Sequence, residues 1–273
     1  MESRRRSRRL SRKFGLSYPV SFGERVYSFL APILAVAVIL IALKYVSGLP
    51  VVSASGASPY LIGRAIAATL GRLLVGYALA FVVSIPLAVW VNDNPLIERL
   101  LLPLFDVIQS VPVLAFFPII IIFFIGFGFL NGAAVFIIFL SMLWNIVFNL
   151  VGGLREIPDD LKSAAKIFGL KGFAFVRRLL LPAAVPYLVT GSILAWAQGW
   201  NIIIVAEVLH TYIPHGTTSQ DLFGVGSLLV RATSSGQNGL FILTIFSLVG
   251  FIAFFNLFVW QKLLRYAERF KFE

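Results

Sequence analysis

The sequence contains no cysteine, so disulfides, thiolate metal sites and cysteine nucleophiles are excluded at once. Charge is scarce as well: Asp, Glu, Lys and Arg make up 13% of the 273 residues, and only 12 residues are acidic. The two histidines, His210 and His215, have no further metal-type neighbours, which argues against a zinc site. No G-x-x-x-x-G-K-[ST] phosphate loop, G-x-S-x-G elbow or H-E-x-x-H helix is present. The chain therefore offers no catalytic residues and no cofactor site of its own.

What is present is apolar. Hydrophobic residues reach 59%, Phe alone numbers 26, and the mean hydropathy is +0.92. A water-soluble fold of this length could not hide that surface, whereas helices in lipid turn apolar side chains outward. The expected fold class is an all-α polytopic membrane protein. The net charge of +11 would raise nucleic-acid binding in a soluble protein, but its placement decides otherwise. Arg4, Arg5, Arg6, Arg8, Arg9, Arg12 and Lys13 stand just ahead of the first apolar run, where they hold a segment in the cytoplasm and attract anionic lipid. That run, Phe29 to Val46, exceeds the ~7–15-residue core of a signal peptide and reads as an uncleaved helix.

Apolar stretches near 29–46, 65–91, 101–125, 132–151, 184–206 and 239–261 approach or exceed the ~20 residues that cross a bilayer. About six spans follow, with both termini cytoplasmic. Of the 23 Lys and Arg, only Lys44, Arg64, Arg72 and Arg231 then fall outside the cytoplasmic segments and inner helix ends. The expected organisation is a basic tail over 1–28, a transmembrane domain over 29–262 with its core at 65–262 and a cytoplasmic loop at 152–183, and a cytoplasmic tail over 263–273. The third span holds Pro103, Pro112 and Pro118, with Asp106, Gln109 and Ser110 between them; each internal proline bends the helix, for packing or for a solute contact.

The stretch from Arg155 to Leu188 is the most informative. Pro158 with Asp159 and Asp160 marks a helix start, and Leu161, Ala164, Ala165 and Phe168 recur at helical spacing until Gly169 and Gly172. A second amphipathic piece carries Phe173, Val176, Leu179 and Leu180 beside Arg177 and Arg178, and Pro182 closes it at the membrane edge. Two short helices joined by glycines suit either docking into a partner's groove or lying on lipid headgroups.

Ser163-Ala164-Ala165, then Gly169, then Leu179-Leu180-Leu181-Pro182 resembles the E-A-A…G…I-x-L-P loop in membrane subunits of binding-protein-dependent ATP-binding-cassette (ABC) importers. Ser163 stands where the family has Glu, and Leu179 where it has Ile. Residues 181–208 further resemble the subgroup importing nitrate, sulfonates and taurine. The resemblance implies a type I ABC importer permease fold, with the loop seated in a separate ATPase subunit that holds ATP and Mg. It also implies a second permease copy or a homologous permease domain, an extracytoplasmic solute-binding protein, and no nucleic acid. The function expected is passage of a small solute, such as an anion of the nitrate, sulfonate or taurine kind.

Polar residues inside spans are the candidates for the solute path, because each is costly unless paired or hydrated. They are Arg72, Gln109, Ser110, Asn145, Asn149, Trp196, Gln198, Trp200, Asn201 and Glu207. Each stands equally under a second reading, interhelical bonding that holds the bundle. A carboxylate at Glu207 would repel an anion, so that residue reads better as a gate or as an ion-pair partner of Arg72 or Arg231. The outer segment 207–238 is expected to form a short interfacial helix using Leu222, Val225, Leu228 and Leu229, and to meet the solute-binding protein. The rival class, a secondary transporter or channel, would call for an inverted repeat or an ionisable chain across the spans, and neither is evident.

Overall fold

The computed structural model describes residues 58–213 and 215–270, so the basic tail and the span expected at 29–46 lie outside the described residues. Every regular element among the described residues is helical. The first, α1, runs Pro59–Asp93, with its opening proline in the first turn, where a missing N–H costs nothing. One face of α1 is buried through Ile62, Ala65, Thr69, Leu73, Gly76, Ala80, Ser84, Ala88 and Val91, a three-or-four-residue rhythm dominated by small side chains. Without a hydrophobic force between helices in lipid, such small residues let backbones approach and gain dispersion contacts.

The partner on that face is α4, Leu130–Arg155, the most enclosed helix, which is sandwiched between α1 and α7, Leu181–Glu207. Gly191 on α7 shows how close the second contact is: a Cβ there would sit 3.0 Å from the Asn145 carbonyl oxygen and 2.9 Å from the Asn149 Cβ. Three helices thus form the core. The last long helix, α9 (Asn238–Phe255), continues through a widened turn at Asn256–Trp260 into α10 (Gln261–Ala267). Only 6% of the most apolar window of this span is buried within the chain, against 56% for α4.

Among the described residues, four helices are long and apolar enough to cross a membrane: Pro59–Asp93, Leu130–Arg155, Gly172–Glu207 and Asn238–Phe270. They cover the stretches expected at 65–91, 132–151, 184–206 and 239–261. The stretch at 101–125 is not one straight span. It breaks into α2 (Pro95–Ser110) and α3 (Phe117–Gly126), bent by 80° across a short turn at Val113–Phe116. The break falls at Pro112, which lacks an N–H and disfavours helical backbone in the residue before it, and Val111 is extended at φ −74°, ψ 127°. Pro103 is accommodated inside α2, and Pro118 falls harmlessly in the first turn of α3.

A second expectation also needs correcting. Pro182 does not close the piece before it: helix runs from α6 (Gly172–Phe175) through Val176–Leu180 into α7 without interruption. The turn at Val176–Leu180 is widened to an i to i−5 pattern, with the Leu181 N–H donating to the Val176 carbonyl, immediately before the proline that has no donor.

The outer segment likewise turns inward. Its helix α8, Val225–Ser234, buries Val225, Leu228 and Leu229 against Ile62, Ala65 and Leu240 instead of laying them on a headgroup surface.

Candidate functional site

Two polar regions lie at opposite ends of the core. The first is the elbow after α4. Its short helix α5, Asp159–Ile167, opens on two acids that complement its N-terminal dipole. It ends in a Schellman closure: the Leu170 N–H donates to the Ala165 carbonyl at 3.0 Å and the Gly169 N–H to the Lys166 carbonyl at 3.0 Å. Gly169 reaches φ +79° there, a left-handed conformation that a side chain would strain, and open space surrounds it. Arg155 pairs with Glu98, tying the end of α4 to the start of α2.

Around that closure the elbow is strongly exposed. Ile167 and Phe168 are each 84% exposed and Phe173 is 77% exposed, whereas Ala165 is buried. Ser163 is exposed and Ala164 half-buried; Leu179 and Pro182 are half-buried where the chain re-enters the bundle, and Leu180 is fully buried. The apolar stripe expected on this segment is therefore divided, with part facing the bundle and part facing outward.

The second region surrounds Glu207, the last residue of α7, which is fully buried. The Arg72 guanidinium donates to Oε1 at 2.7 Å, the Thr69 hydroxyl donates to the same oxygen at 2.7 Å, and the Gly226 N–H donates to Oε2 at 2.7 Å. Thr69 in turn accepts from the Val225 N–H at 2.9 Å. Arg72 also donates to Asn131 Oδ1 and to the Phe223 carbonyl, each at 3.0 Å. One carboxylate so caps the N-terminus of α8 and binds it to α1 and α7. Arg231, the other partner considered for Glu207, donates instead to the Thr218 carbonyl at 3.2 Å.

Thr69, Asn131 and the backbone of 223–226 were not among the sequence candidates. Thr69 lies one helical turn before Arg72, the one signal that pointed to it. Nearby, the His210 ring and backbone N–H both meet the Asp221 carboxylate, at 2.8 and 3.1 Å, closing the outer loop on itself.

The remaining candidates are dispersed. Asn145 and Asn149 donate to the carbonyls of Ser141 and Asn145 on their own helix, at 3.3 and 2.8 Å. Gln109 and Ser110 both turn back onto Asp106. Trp196 is buried, stacked on Phe255 at 4.9 Å and close to Tyr77, Trp200 and Trp260. Gln198 and Asn201 share an exposed face of α7 with Leu194 and Ile204.

Comparison with known proteins gives this architecture a family. The model for the binding-protein-dependent transport system inner membrane component matches residues 80–261. The nitrate import permease protein NrtB of Leptolyngbya laminosa is 34% identical over 198 residues, covering 69% of this chain and 66% of that protein. The bicarbonate transport system permease protein CmpB of Synechocystis sp. is 34% identical over 142 residues, 52% of this chain and 50% of that one. The matches thus span about half to two-thirds of these relatives' own length. In fold, the chain is similar to one in an inward-facing MetNI methionine ABC transporter, with a TM-score of 0.64 and 19% identity over 77% of this chain and 97% of that one. With its matched span running from α1 to the end of the widened turn after α9, this multi-pass membrane protein belongs to the family of binding-protein-dependent transport system inner membrane components.

Proposed function

We propose that the chain is the membrane-spanning subunit of an ATP-driven ABC importer for a small inorganic anion of the nitrate or bicarbonate kind. One observation carries the reading: the elbow at 155–173 leaves Ile167, Phe168 and Phe173 exposed around Gly169, at the position where the family's ATPase-coupling loop falls. Large apolar side chains grouped in water call for a partner. That partner is a pair of cassette ATPase subunits, which hold the ATP and Mg that this chain does not bind.

In this reading the chain crosses six times with both termini in the cytoplasm, and a second copy or a homologous permease completes the path. An external solute-binding protein delivers the anion at the outer face. Arg72 is withdrawn into its pair with Glu207, so neutral donors handle the solute. Gln198 and Asn201 on the exposed face of α7 are available for this, as is Trp196, whose buried Nε1 has no partner among the described residues. The relatives named for nitrate and bicarbonate favour an inorganic anion over a sulfonate or taurine.

Uptake into vesicles reconstituted with the chain and its ATPase tests the reading. Labelled nitrate or bicarbonate is expected to accumulate only with ATP and only with the ATPase present. Uptake that persists with neither would overturn it in favour of a secondary transporter or channel.

A further inference from the structure

The inner end of the bundle holds a cavity of about 570 Å³ that neither the coupling role nor the solute path uses. It lies between the last turn of α1 and the elbow, lined by Asn92 and Asp93 on one side and by Lys162, Lys166, Leu170, Lys171 and Gly172 on the other. Phe175 and the fully buried Leu180 complete it. Its lining is double in character, with the apolar Leu170, Phe175 and Leu180 beside three lysines from one short stretch of chain.

Those cations have little to neutralise them. Among the described residues Lys162 pairs only with the exposed Asp159, at 3.6 Å, and no carboxylate lies within ion-pair distance of Lys166 or Lys171. Asp93 on the wall offers one negative charge against three positive ones and lies beyond ion-pair distance of all three. The last turn of α1 carries no basic residue of its own. Lys162 and Lys166 are four apart and share one face of α5, while Phe168 stands more than half a turn round from Lys166 and is left free for a protein partner. Three like charges lining one cavity repel, and the arrangement is relieved when an anion sits among them.

We propose that this cavity binds a phosphate group, with Lys162, Lys166 and Lys171 as its cationic ligands. The phosphate comes either from an anionic phospholipid, whose apolar part lies along Phe175 and Leu180, or from phosphate free in the cytoplasm. The site belongs to this chain alone and does not depend on which solute is transported. Because the lysines and the exposed elbow share α5, an occupant steadies the surface on which coupling is proposed to act.

The test uses the full chain in nanodiscs of phosphatidylcholine doped with phosphatidylglycerol, with retained lipid counted by native mass spectrometry. A second arm follows thermal unfolding of the detergent-solubilised chain against inorganic phosphate. Each lysine near an anionic group is worth about fivefold in affinity, so Lys162→Gln, Lys166→Gln and Lys171→Gln together are expected to weaken retention roughly a hundredfold. Lys262→Gln, Arg265→Gln and Arg269→Gln remove the same charge elsewhere and serve as the control.

Phosphatidylglycerol retained by the native chain and lost only in the cavity variant supports the lipid source. Stabilisation by inorganic phosphate, lost only in that variant and without lipid retention, supports the free one. Equal behaviour of native chain and cavity variant in both arms overturns the site. So does an equal loss in the control, which would mark a general attraction to headgroups. A variant that unfolds is replaced by the single changes Lys166→Gln and Lys171→Gln, for which a loss of about fivefold each is required.

Discussion

Glu207 sits where a lone carboxylate would cost several kcal/mol, and its three donors at 2.7 Å are what make the position tolerable. Its environment is asymmetric. Glu207 is fully enclosed, while the Arg72 side chain retains 12% exposure. Removing either partner leaves the other buried and uncompensated, at about 3–5 kcal/mol, whereas replacing both with apolar residues of similar size costs far less. Arg72→Leu and Glu207→Leu are each expected to lower the unfolding midpoint of the detergent-solubilised protein, and the double variant is expected to recover most of the loss. A double variant as unstable as the sum of the singles would show that the pair is not coupled. The sequence made both residues conspicuous, since ionisable groups inside a span demand an explanation. It could not show Thr69, Asn131 or the Gly226 N–H as their partners. Those groups are ordinary by type, and they qualify only because α8 folds back into the bundle and brings its N-terminus to the carboxylate.

Among the helices, hydropathy read length well and continuity poorly. The stretches at 65–91, 132–151, 184–206 and 239–261 all lie inside long helices, because lipid selects apolar residues whichever way a helix is packed. A window average cannot tell a straight span from two helices bent by 80°, and so hydropathy makes 101–125 one stretch. Proline count does not decide the matter either. Pro86, Pro103 and Pro182 are carried inside continuous helix, Pro118 falls in a first turn, and of these five Pro112 alone follows a residue in extended backbone. Position relative to a helix start, which is a tertiary outcome, separates the five. If Pro112 causes the break, Pro112→Ala restores the donor and removes the restraint on Val111, and α2 is expected to extend toward α3. Spin labels on Leu104→Cys and Ile122→Cys, unambiguous in a chain without cysteine, should then report a longer separation than in the parent. An unchanged distance would assign the bend to tertiary packing instead of to the proline.

For the whole molecule, the two ends of the core contrast in how they are held. The Glu207 end is closed internally: Glu207, Thr69, Arg72 and the backbone of α8 satisfy one another, and His210 does the same with Asp221. The elbow end leaves Ile167 and Phe168 84% exposed where a helix of nine residues ends in a Schellman closure. If the elbow is the coupling surface, Phe168 is its anchor, and truncating a large buried interface side chain costs about 2 kcal/mol or more, roughly thirtyfold in affinity. Phe168→Ala is therefore expected to release the ATPase on copurification and to abolish ATP-driven uptake. The chain's own unfolding free energy should stay within about 0.5 kcal/mol of the parent, since an exposed side chain contributes little to the isolated fold. Phe173→Ala, five residues further along on α6, separates a single anchor from a broad contact: a smaller loss fits an anchor at Phe168, and an equal one spreads the grip over both helices of the elbow. Full retention of the ATPase by both variants would place the coupling surface elsewhere on the chain.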